Sequence, residues 1–147
     1  MSDVVVVDAS LAVKWVLTEE DSNIAKALLN KWTDEGKEVT APALFAYEVT
    51  NIIYRQVVSK KLSYDEASQG LTRLLSIGVV LRFSLYKDIS AQAMKFAHDF
   101  GLSASYDAHY LALAQSERGE CWTADKRLWN SVKGKLKWVH WLGDYQA

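Results

Sequence analysis

Residues 4–10 read VVVVDAS, four valines that end on Asp8 and a small polar turn. β-Branched side chains without polar alternation fit a strand covered on both faces, as in a parallel sheet. A carboxylate at the end of such a strand is costly to desolvate without partners. Asp8 is therefore expected either to cap the following turn or to hold a ligand, and by itself it supports both readings.

Working outward, the chain alternates short apolar runs with helical periodicity. Residues 10–17 (SLAVKWVL) predict a short apolar helix, and a second begins near Asp21-Ser22 with Ile24, Ala27, Leu28 and Trp32 at helical spacing, closed by Gly36. Residues 38–41 (EVTA) predict a strand stopped by Pro42. A long helix is expected from Ala43 to about Lys60, with Leu44, Phe45, Val49, Ile52, Ile53 and Val57 on one face. Ser63-Tyr64-Asp65-Glu66 has the form of a capping box that opens a helix through Leu74 and Leu75 to Gly78. Strands are predicted at Val79–Phe83, Glu120–Thr123 and Trp138-Val139, and helices at Ile89–Phe100, Ser105–Glu117 and Asp125–Val132. Strands separated by helices imply parallel pairing through crossovers, hence a helix-rich α/β three-layer sandwich around a mainly parallel sheet, formed as one domain over residues 1–147. Ligands of such sheets lie beyond the carboxyl ends of the strands, where Asp8 falls.

Composition narrows the classes. Eighteen acids and seventeen bases give a formal net charge of -1, so no global field draws the chain to nucleic acid or membrane, although a local patch remains open. Cys121 is the only cysteine, which excludes an internal disulfide and predicts a reducing, cytoplasmic setting. No apolar run approaches a spanning helix, and no basic-then-hydrophobic leader opens the chain.

Three further acids repay attention. Glu48, in APALFAYEVTNIIYRQ, is four residues from both Leu44 and Ile52 and lies at the edge of an apolar stripe; snorkelling or pairing with Arg55 is the plain alternative. Asp107, in SASYDAHYLALAQ, aligns with Tyr110, Leu111 and Ala114, and a first-turn dipole role is its alternative. Asp125 repeats the strand-to-helix placement of Asp8, with capping as the alternative. Four carboxylates in one pocket would raise one another's pKa values unless a cation intervened. Oxygen donors without a Cys or His cluster suit Mg²⁺ or Mn²⁺ rather than zinc, and such an ion supports phosphodiester hydrolysis by activating water.

The ordered set VVVVDAS, APALFAYEV, SASYDAHYLALA and CWTADKRL, together with the opening DASLAVKWVLTEEDS, resembles the PIN domain family, in particular the VapC-type toxins of type II toxin–antitoxin systems. The resemblance spans nearly the whole chain. It implies a Mg²⁺- or Mn²⁺-dependent endoribonuclease whose four acids map to Asp8, Glu48, Asp107 and Asp125. Ser10 and Thr123 match supporting polar positions, and a homodimer and a cognate antitoxin are implied as partners.

The remaining features weigh less. His98, His109 and His140 are scattered and read as satisfied or exposed, and Cys121 as a small buried hydrophobe. Lys126, Arg127, Lys133, Lys135 and Lys137, interleaved with Trp129, Trp138, His140 and Trp141, read first as a solvated basic face and second as an RNA-contacting one. Lys14, Lys126 and Arg127 are the candidates for phosphate contact. Tyr47, Tyr54, Trp15 and Trp32 are expected in the core or at an association surface. Two other classes stand beside the nuclease. A phospho-receiver lacks an acid after Val79–Phe83, and a non-catalytic module would receive a basic peptide in the acidic pocket.

Overall fold

The computed structural model describes residues 2–146. Among them are five strands and seven helices in the order β1 (Val4–Val7), α1 (Ala9–Ala12), α2 (Ser22–Asp34), β2 (Glu38–Pro42), α3 (Leu44–Val58), α4 (Tyr64–Leu75), β3 (Val80–Arg82), α5 (Tyr86–Asp99), α6 (Tyr106–Glu117), β4 (Glu120–Thr123), α7 (Lys126–Val132) and β5 (Val139–Trp141). The strands form one sheet in the order β3-β2-β1-β4-β5, and every pairing is parallel. The expected mainly parallel sheet is thus wholly parallel.

The valine run occupies the centre. Val5, Val6 and Val7 are buried, covered on one face by α6, whose Tyr110, Leu111 and Ala114 are also inaccessible. Helix α6 is buried around much of its circumference, which accounts for its lack of a polar stripe. The connection from α6 turns sharply at Arg118, in the left-handed region at φ 53°, and then Gly119. A Cβ on Gly119 would collide with the Val4 carbonyl, so glycine is what lets β4 enter beside β1.

The segment after Asp8 is shorter in α-helix than its periodicity predicts. Four residues of α1 pass into a 3₁₀ turn at Val13–Trp15. Tertiary hydrogen bonds hold this bend: the Trp15 indole N–H donates to the Ala25 carbonyl at 3.0 Å, and Ser22 Oγ donates to the Leu17 carbonyl at 2.8 Å. The capping box at Ser63 and Glu66 forms as the sequence indicates. Trp15 and Trp32 enter the core, whereas Tyr47 and Tyr54 are exposed. At the β3 edge, Arg82 bridges Glu38 on β2 and Glu117 on α6. No helix of the described residues is long and apolar enough to cross a membrane.

Candidate active site

The winding of the sheet reverses between β1 and β4, while all strands keep the same direction. From β1 the chain winds outward through β2 and β3, then returns to the other side of β1 as β4 and β5. The carboxyl ends of β1 and β4 therefore splay apart at a topological switch point, the usual ligand crevice of an open parallel sheet. Val7 pairs with Trp122, so Asp8, the first residue beyond β1, emerges beside Thr123, the last residue of β4.

Asp8 is buried and its oxygens are occupied. Oδ1 accepts from Ser10 Oγ at 2.8 Å and from the Leu11 backbone N–H at 3.0 Å, and Oδ2 accepts from the Thr123 hydroxyl. Ser10 Oγ in turn accepts from the Ala124 N–H at 3.1 Å, and Thr123 Oγ1 from the Asp125 N–H at 2.9 Å. The capping reading of Asp8 is thus correct as far as it goes, because it does cap α1. Burial nevertheless outweighs these donors, and the carboxyl is pushed up to about 7. Among the described residues no Lys or Arg forms an ion pair with it.

Glu48, Asp107 and Asp125 line a single cavity of about 460 Å³ together with Leu102, Tyr106, Arg127 and Leu128. Asp107 is the hub. Its charge acts on Asp8 and on Glu48, and the Asp125 charge acts on it. The Asp107 carboxyl is raised first by desolvation and then by Asp125. Glu48 is also raised by desolvation, opposed by a hydrogen bond that its Oε1 accepts from the Tyr110 hydroxyl at 2.5 Å. Asp125 Oδ1 caps α7, accepting from the N–H groups of Arg127 at 2.9 Å and Leu128 at 3.3 Å, and this leaves Oδ2 available.

Three of the four candidate acids thus share one cavity, and the fourth lies electrostatically coupled behind it. Among the described residues no three His, Cys, Asp or Glu side chains stand close enough to hold one metal ion between them. The donor set is nonetheless entirely oxygen and short of positive charge, the chemistry of a hard cation that retains waters.

The secondary candidates separate. Ser10 and Thr123 are joined to Asp8, and Arg127 lines the cavity. Lys126 lies with its Nζ 5.0 Å from the Trp141 ring centroid. Lys14 donates to the Glu20 carbonyl at 2.7 Å and does not line the cavity. His109 Nδ1 is 2.7 Å from the Ser105 carbonyl oxygen, and Cys121 is buried, both as their sequence setting suggests. Tyr110 is the residue that sequence reasoning missed. Its place three residues after Asp107 signals a shared helix face but not the partner of its hydroxyl.

Known proteins share this fold. A family model for the PIN domain matches residues 5–135. Ribonuclease VapC3 of Pyrobaculum aerophilum is 32% identical over 123 residues, covering 84% of this chain and 90% of that protein. Among solved structures, PAE2754 from Pyrobaculum aerophilum superposes with a TM-score of 0.65 at 24% identity, covering 90% of this chain and 88% of that one. A toxin–antitoxin complex from Klebsiella pneumoniae gives 0.65 at 19% identity, covering 97% and 99%. Mycobacterium tuberculosis VapC20, a sarcin-ricin loop cleaving toxin, gives 0.60 at 17% identity, covering 82% and 87%. With the parallel sheet and the acids at its switch point, the match over most of the sequence makes the assignment: the chain belongs to the PIN domain family.

Proposed function

We propose that this protein is an endoribonuclease of the VapC toxin type, dependent on Mg²⁺ or Mn²⁺ and using Asp8, Glu48, Asp107 and Asp125. The observation that carries the reading is the gathering of Glu48, Asp107 and Asp125 on one cavity above a buried Asp8 that has no cationic partner among the described residues. The 32% identity to a protein named as a ribonuclease supports the activity. Groups pushed toward their neutral forms by burial gain most from a bound divalent charge.

In this site Asp107 and the free oxygens of Glu48 and Asp125 would hold the ion, in part through water, with Asp8 anchoring the floor. When bound, the ion lowers the pKa of a water and neutralises charge on a phosphoryl oxygen. The protein's own groups do the positioning. Thr123 and Ser10 fix the Asp8 carboxylate, the Tyr110 hydroxyl fixes Glu48, and the α7 amides fix Asp125. Arg127 extends from the cavity rim to take a substrate phosphate, and Lys126 and Lys14 are weaker contributors. The toxin reading brings a cognate antitoxin, a homodimer and a cytoplasmic setting. An antitoxin arginine entering the acidic cavity would silence the site by competing with the cation.

One observation favours a second reading. The absence, among the described residues, of three acids at metal-holding distance suits a non-catalytic module that receives a basic peptide. A cleavage assay separates the two. Purified protein should cut single-stranded RNA with Mn²⁺, stop in EDTA, and resume when Mn²⁺ is restored. Asp107→Asn should lose more than the roughly 10–100-fold expected from loss of an outer-shell partner. Cleavage that is indifferent to EDTA, or full activity in Asp107→Asn, would refute the reading.

A further inference from the structure

We infer that Tyr106 is a stacking platform for the base beside the scissile phosphate. The inference rests on the ribonuclease reading of the cavity and adds a specificity-determining residue to it.

Tyr106 opens α6, immediately before Asp107, yet the residue is 64% exposed. It contributes little to the core, unlike Tyr110 one turn later, which is fully buried. Other exposed tyrosines, such as Tyr47, Tyr54 and Tyr86, do not line the acidic cavity, and Tyr106 does. The same cavity is lined by the acids Glu48, Asp107 and Asp125, by the cation Arg127, and by the apolar side chains of Leu102 and Leu128.

A ligand that suits all of these must carry a negative charge for the cation and a flat apolar group for the tyrosine. A nucleotide does both. Unpaired bases stack on aromatic rings, whereas a base inside an A-form duplex has its faces occupied by neighbours. At about 460 Å³ the cavity falls in the lower part of the range for small-ligand sites, roughly 300–1,000 Å³, and matches one nucleotide rather than a helix. An arginine from a basic peptide would also stack on the ring. Once a divalent ion offsets the carboxylates, however, Arg127 favours an incoming phosphate over a second guanidinium.

The test compares wild type with Tyr106→Phe and Tyr106→Ala on a short RNA supplied single-stranded and as a duplex. The single strand presents the base the ring would take, and any cleavage of the duplex should not depend on Tyr106. Tyr106→Phe should match wild type, and Tyr106→Ala should raise KM about tenfold with kcat changed far less. Unchanged Mn²⁺ affinity in Tyr106→Ala would show that Asp107 has not moved. A readout without cleavage is quenching of a 2-aminopurine base in the same RNA, measured with Ca²⁺ in place of Mn²⁺ so that the carboxylates stay neutralised, which wild type and Tyr106→Phe should give and Tyr106→Ala should lose. Unaltered KM and quenching in Tyr106→Ala, or a Phe variant as poor as the Ala variant, would overturn the inference. So would Tyr106→Ala losing affinity only for an arginine-rich peptide. If wild type quenches but does not cleave, the ribonuclease reading fails while the stacking site stands.

Discussion

Replacing Asp8 by Asn should stabilise the metal-free protein at alkaline pH and remove most of its pH dependence. In the folded chain burial pushes this carboxyl from its ordinary 3.8 up to about 7, despite three hydrogen bonds to it. The folded state therefore keeps a proton that the unfolded chain releases. Stability is complete below about pH 4 and is lost as pH rises through about 7, at about 1.4 kcal/mol per pH unit between those values. From about pH 5 to about pH 8 the expected fall is about 3 kcal/mol, a large share of a domain stability of roughly 5–15 kcal/mol. Asn preserves the shape and most of the bonds. Its amide oxygen accepts from Ser10 and Leu11 in place of Oδ1, and its NH₂ donates to Thr123 Oγ1. Urea unfolding in EDTA reads the effect directly, and with a slope of about 1–3 kcal/mol/M the wild-type midpoint should drop by about 1–3 M across that interval. The Asn midpoint should move far less. A wild-type midpoint that is flat or rises over the same interval, or an Asn variant that falls in parallel with it, would show that Asp8 is not held protonated by burial.

Other outcomes follow from the same geometry. Tyr110→Phe removes the donor to Glu48 and should cost about 1 kcal/mol in denaturant melts while raising the Glu48 carboxyl further and weakening Mn²⁺ binding. Unaltered Mn²⁺ affinity would deny the positioning role. Gly119→Ala forces a Cβ onto the Val4 carbonyl and should destabilise by about 2 kcal/mol or more, measured by thermal unfolding; a neutral result would contradict the close β1–β4 approach. Arg82→Ala frees Glu38 and Glu117 at the sheet edge, but the ion pairs are partly exposed, so the loss should be no more than about 1 kcal/mol and should shrink in salt. Arg127→Ala should raise KM for RNA and flatten its salt dependence with little change in melting temperature.

Much of the fold could be read from local patterning. The valine run, the periodicity of Leu44–Val58 and the Ser63 capping box each specify an element without reference to the rest of the chain. Strand order and register could not be read, because strands of three to five residues carry no signal for which neighbour they pair with. The Val7–Trp122 pairing, which sets Asp8 beside Thr123, is a property of the assembled sheet. The α1 region shows the same limit, since its helical period is overridden by hydrogen bonds from Trp15 and Ser22. In the cavity, Glu48 and Asp107 were legible because each is an acid on an apolar helix face, and Asp8 and Asp125 because each ends a strand. Tyr110 was not, because an aromatic residue on such a face looks like core until the distance between α3 and α6 is known. The sequence also could not indicate that Asp8 lies behind the cavity rather than on its wall.

Calorimetric titration of the metal-free protein with Mn²⁺ at several pH values reads divalent-cation binding by these acids without relying on cleavage. Binding should be saturable, should strengthen as pH rises through about 7 because the cation must displace the proton held on Asp8, and should be largely lost in Asp107→Asn. No heat of binding at alkaline pH, or the same affinity in wild type and Asp107→Asn, would contradict it.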